Sequence, residues 1–106
     1  MVKKRTPNLE NDISCLKEKT HDDDYAKALY ASLCNMRWVH RKTGEQWSCT
    51  WRYAGGIIAG LRNVDENYMD FYCSGNEGKI RKDVYRDLCS LGWKPKPYPG
   101  DDVVLI

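Results

Sequence analysis

Apolar residues recur along the chain with two periods. Tyr25, Leu29, Leu33 and Met36 stand at i, i+4, i+8 and i+11. That spacing lines one face of a helix and predicts an amphipathic helix over 25–35. Asp22, Asp23 and Asp24 precede it. Their carboxylates suit the free N–H groups and the positive dipole end of a helix start. The period then drops to two. Met36, Trp38 and His40 alternate with Arg37, Val39 and Arg41, and Trp47, Cys49, Trp51 and Tyr53 alternate with Ser48, Thr50 and Arg52. Two alternating runs around a Lys-Thr-Gly-Glu-Gln connection predict a β-hairpin over 36–53. A loop at Thr43–Gln46 gathers the large apolar groups on one face, with Trp38 opposite Trp51, Met36 opposite Tyr53 and His40 opposite Cys49. The other face then sets Arg37 opposite Arg52, Val39 opposite Thr50 and Arg41 opposite Ser48, because a one-residue slip would invert every side chain.

Further along, Ile57, Ile58 and Leu61 predict a short inward-facing helix over 54–62, despite Gly55, Gly56 and Gly60. Each helical glycine costs about 1 kcal/mol relative to alanine. Residues 63–67 read as a turn. Met69, Phe71 and Cys73 alternate with Tyr68, Asp70 and Tyr72 and predict a third strand over 68–73. Ser-Gly-Asn-Glu-Gly follows as a turn. Ile80, Val84, Leu88 and Leu91 mark a second long helix, with Gly92 placed for a left-handed C-cap. The proline-rich 94–99 stretch reads as extended, and Val103–Ile106 as an edge strand. Residues 1–20 lack sustained periodicity, so they are expected to form a flexible arm with one helical turn near Ile13–Leu16. A single α+β domain is expected over 21–106. Its small antiparallel β-sheet, a hairpin plus a third strand, packs against two to three helices.

Composition sharpens this. The chain has 106 residues, enough for one core without a staple. With 42% hydrophobic and 30% charged residues, it reads as a soluble globular domain and not as a disordered tail or membrane span. Four Trp and seven Tyr stand against one Phe, so the aromatics favour surfaces that are part buried and part wet. The formal charge of +2 argues neither for a nucleic-acid-coating protein nor for an acidic DNA mimic. It is unevenly spread. Arg37, Arg41, Lys42, Arg52 and Arg62 face only Glu45 over 37–62, and a second basic run covers 79–96. Asp65, Glu66, Asp70 and Glu77 lie between them. The five cysteines show no Cys-x-x-Cys and no zinc spacing with His21 or His40. Free, mostly buried thiols in a reducing cytoplasm are expected, with no metal and no cofactor. Met-Val-Lys-Lys-Arg is not followed by an apolar stretch and does not read as a signal peptide.

Candidate chemistry concentrates in the hairpin. Opposed Arg37 and Arg52, with Arg41 one pleat along, would form an anion- or carboxylate-binding face, or else splay into water. Gly55-Gly56 matches neither a dinucleotide fingerprint nor a P-loop, and close helix packing explains it better. Trp38 and Trp51 are expected in the core, leaving Trp47 as the exposed contact residue. His40 beside Cys49 is the one conceivable nucleophile pair, and an apolar face would leave it inert. The expected partner-binding set is Arg37, Arg41, Trp47, Arg52, Tyr68 and Tyr72, joined by Arg81 and Arg86 of the basic helix.

Trp-Ser-Cys-Thr-Trp-Arg-Tyr-Ala-Gly-Gly (47–56), Tyr-Met-Asp-Phe-Tyr-Cys-Ser-Gly (68–75) and Leu-Gly-Trp (91–93) resemble small accessory proteins encoded by phages and prophages. Some of that class inhibit host defence complexes such as CRISPR effectors by occlusion. The resemblance implies a non-enzymatic, anti-CRISPR-like protein-binding module, and the lack of dense negative charge favours direct protein–protein blocking. The expected partner is a protein, such as a component of a nucleic-acid-binding host complex. The alternatives are a single-stranded nucleic-acid-binding protein and a small Cys-dependent enzyme.

Overall fold

A computed structural model describes residues 8–65, 79–96 and 103–106. The predicted strand over 68–73, with Tyr68 and Tyr72, lies outside the described residues.

The chain enters the core at once. Asn8 caps α1 (Leu9–Ile13), its side chain accepting from the N–H groups of Glu10 and Asn11. Leu9 and Ile13 are fully buried, and Leu16 and Thr20 are buried in the 3-10 turns that follow. The arm expected over 1–20 is therefore, from Asn8 onward, packed structure. The helical turn expected near Ile13–Leu16 is present. Leu9, Ile13 and Leu16 stand at i, i+4 and i+7, a helical face hidden among charged neighbours. α2 (Asp23–Asn35) starts as predicted, with Asp22 Oδ1 accepting from Asp24 N at 2.9 Å and Tyr25 N at 3.2 Å. It buries Tyr25, Ala26, Leu29, Tyr30 and Leu33. At Met36 the backbone becomes extended and leads into β1 (Arg37–His40).

β1 is the centre of a three-stranded antiparallel sheet, flanked by β2 (Gln46–Trp47) and β4 (Trp93–Lys96). The hairpin is shorter than its alternation suggested. Trp38 pairs with Trp47 and Val39 with Gln46, around a turn in which Gly44 takes φ +75°. The expected pairings Trp38–Trp51, Met36–Tyr53, His40–Cys49, Arg37–Arg52, Val39–Thr50 and Arg41–Ser48 do not form. Thr50 ends the run: its hydroxyl accepts from Tyr53 N at 3.2 Å and caps α3 (Trp51–Arg62). Residues 51–53 are therefore helical, and α3 starts three residues before the predicted 54. A side-chain cap satisfies helix N–H groups within the chain, where a longer hairpin would need partners across the ladder.

The third strand comes from the proline segment. β4 pairs with β1 as Arg37–Lys96, Trp38–Pro95, Val39–Lys94 and His40–Trp93. Arg41 N donates to Gly92 O at 2.7 Å. Alternation from that bond puts Pro95 in a non-hydrogen-bonded pair, so its missing N–H falls on the open edge, where proline is tolerated. α4 (Lys82–Ser90) precedes β4, with Val84 and Leu88 buried. The expected glycine follows it: Gly92 has φ +99°. A short parallel pair, β3 (Lys79–Ile80) with β5 (Val104–Leu105), supplies the predicted C-terminal strand.

The core joins these layers. Trp38 and Trp93 are its largest fully buried side chains, and both indole N–H groups are satisfied. Trp38 Nε1 donates to Ser32 O at 3.1 Å, and Trp93 Nε1 to Asp12 Oδ2 at 2.8 Å. Asp87 is buried on α4. One of its oxygens accepts from Tyr25 Oη and Lys19 Nζ, each at 2.8 Å. The architecture is α+β, a small antiparallel sheet packed with helices. No helix among the described residues is long and apolar enough to cross a membrane. Cys15, Cys49 and Cys89 are free, but Cys34 is disulfide-bonded. Free thiols throughout were expected because spacing in sequence does not reveal which cysteines meet in space. Burial was over-expected too, since Cys15 is exposed and Cys49 and Cys89 are only half-buried.

Candidate binding surfaces

Two surfaces gather the functional side chains. The first is the start of α3. Its cap at Thr50 turns three consecutive large residues outward: Trp51 is 44% exposed, Tyr53 50%, and Arg52 is exposed between them. The Arg52 guanidinium carbon lies 5.5 Å above the Trp51 ring. Trp47 leans towards the group, with its ring 6.2 Å from that of Tyr53. Sequence reasoning thus exchanged two tryptophans. Trp47 is the half-buried cross-strand partner of Trp38, and Trp51 is the exposed one. The missed signal was Thr50, a capping residue inside an alternating run.

Beside these aromatics is a cavity of about 360 Å³ whose lining includes Arg52, Tyr53, Gly56 and Ile57 from α3 and Glu10 from α1. A second cavity of about 250 Å³ shares Glu10, Gly56 and Ile57 and reaches Gly60. The two form a trough between α1 and α3. Gly60 borders open space there, since a Cβ on it would meet nothing within 4 Å. Tyr53 Oη donates to Glu10 Oε2 at 2.5 Å and ties the trough walls together. That bond to a carboxylate is the main reason the Tyr53 phenol resists ionisation, its pKa lying above the usual value. Of the predicted glycine pair, Gly55 is buried in packing and Gly56 lines the trough.

The second surface is the outer face of the sheet. Arg37 and Arg41 share it, as expected. Their neighbours are Lys96, opposite Arg37, and Lys94, opposite Val39. Arg52 is not among them, because it stands on α3. Arg41, Lys94 and Lys96 are exposed, and Arg37 is half-buried.

The remaining predicted residues lie apart. Arg81 is engaged locally: its fork donates to Asp83 at 2.8 and 2.5 Å, and its guanidinium carbon lies 5.9 Å from the Tyr25 ring centre. That pairing chiefly holds the Asp83 carboxyl below the usual range and the Arg81 pKa above its own. Arg86 is exposed on α4. His40 packs edge-on against Trp93 at 5.1 Å, away from the expected pairing with Cys49. The Cys49 thiol instead donates to Leu33 O at 3.3 Å, and burial pushes it up to about 12. Among the described residues, no three His, Cys, Asp or Glu side chains gather as a metal site. No family model, no curated protein and no solved structure matches the chain.

Proposed function

We propose that this chain is a non-enzymatic protein-binding module that docks through the start of α3. The observation that carries the reading is the exposure of Trp51, Arg52 and Tyr53 as one contiguous patch beside an open trough. Interface energy concentrates in Trp, Tyr and Arg side chains that enter complementary pockets. Arg52 stacked on Trp51 is held in place before any partner arrives, which lowers the entropy lost on binding. The resemblance of 47–56, 68–75 and 91–93 to phage accessory proteins makes occlusion of a host defence complex the form to test first.

The test is capture by the immobilised full chain, with Trp51→Ala and Arg52→Ala as separate variants. A partner held by the wild type should bind each variant at least tenfold more weakly, the loss of a contact worth about 1.4 kcal/mol or more. Thermal midpoints should be unchanged, since both side chains are exposed. A partner retained equally by both folded variants would overturn this surface.

A further inference from the structure

The outer sheet face makes a different interaction surface. Six strand positions point to it: Arg37, Val39 and Arg41 from β1 and its extension, Gln46 from β2, and Lys94 and Lys96 from β4. None is acidic. Lys42 follows in the adjoining turn and is exposed, as are Arg41, Lys94 and Lys96. Arg37 and Lys96 stand directly opposite each other. Paired residues of a sheet project to the same side, so these cations share one face.

We infer that this face contacts the phosphate backbone of nucleic acid without reading its sequence. Charge complementarity names an anionic occupant, and the composition of the face selects between classes. A protein interface needs an apolar centre and is depleted in lysine. Here the only apolar side chain is Val39, and lysine supplies much of the charge. Phosphate contacts need no apolar centre and draw on Lys and Arg together. No aromatic stands on these six positions, so nothing on the face would stack bases. Phosphate contacts carry no sequence information, so affinity comes from counterion release. This surface uses residues separate from the α3 patch and stands or falls without it.

The experiment is fluorescence anisotropy of the full chain with a labelled 20-base-pair duplex, repeated with a second duplex of scrambled sequence. Four cations (Arg41, Lys42, Lys94 and Lys96) predict about a hundredfold loss of affinity between 50 and 200 mM salt. Both duplexes should bind alike. Lys94→Gln/Lys96→Gln should roughly halve the salt slope, leaving only about a tenfold loss over the same range. Lys17→Glu/Lys82→Glu changes net charge away from the sheet and should leave the slope nearly intact. Circular dichroism confirms that each variant is folded. Four outcomes overturn the inference. They are no binding at 50 mM salt, equal losses in the sheet and control variants, loss on Trp51→Ala in place of the lysines, and polyglutamate displacing the duplex at lower charge concentration than DNA itself. The last result would assign the face to an acidic protein.

Discussion

Cys49 shows how far one side chain's chemistry depends on its surroundings. In sequence it is expected opposite His40, on an apolar hairpin face that would leave the pair inert. In the fold its Sγ meets a backbone carbonyl, and burial raises its pKa from 9.0 to about 12. A thiol without thiolate character is a poor nucleophile. Iodoacetamide at pH 7.5 should therefore modify exposed Cys15 and spare Cys49 until the chain is denatured, as read by peptide mass spectrometry. Labelling of native Cys49 as fast as Cys15 would contradict this. The same shift has a stability consequence. Below pH 9 the thiol is protonated whether the chain is folded or not. Between pH 9 and about 12 the unfolded chain loses that proton and the folded chain keeps it. Stability then falls with rising pH through the titration of this group. Denaturant titrations from pH 8 to 11 should show a shallower decline in Cys49→Ala than in the wild type.

At the scale of elements, helix ends and glycines decide more than periodicity. The alternation from Trp47 to Tyr53 was a genuine strand signal, yet a Thr cap converted its last three residues into helix. α2 was legible because its period, its Asp22 cap and its length all agreed. β4 was legible as extended chain, but its place in the sheet was not, because pairing partners are set by long-range packing. Gly92 joins α4 to β4 and is constrained twice. Its φ of +99° disfavours any Cβ, and a Cβ there would lie 2.5 Å from His40 Nε2. Gly92→Ala should destabilise the fold by about 2 kcal/mol or more in urea denaturation. In a His40→Ala background the same substitution should cost less, since the steric part is relieved and the backbone strain remains. Equal costs in both backgrounds would show that the ring contact contributes nothing.

At the scale of the molecule, part of the segment expected as a flexible arm closes the core. Leu9 and Ile13 are fully buried. Asp12 accepts from the Trp93 indole, and Lys19 reaches Asp87, which also holds Tyr25. These bonds tie the first elements to α2, α4 and β4. Leu9→Ala or Ile13→Ala should lower unfolding free energy by about 2–5 kcal/mol, the range for large-to-small changes in a core. A mobile arm would show almost no change. Chemical denaturation of the two variants separates these outcomes.

The amino-acid sequence by itself determined the class of fold, the two long helices, the positions of Asp22 and Gly92 at their ends, and Trp38 as core. Each rests on local information: a repeat, a cap, or a backbone conformation that few residues adopt. Tertiary structure alone decided which strands pair, that Trp51 and not Trp47 faces solvent, and that Arg37 and Arg41 share a face with Lys94 and Lys96. Those outcomes depend on burial against residues far away in sequence. A two-residue period can end at a cap, and the partner of a sheet edge is chosen by the packing of the whole core.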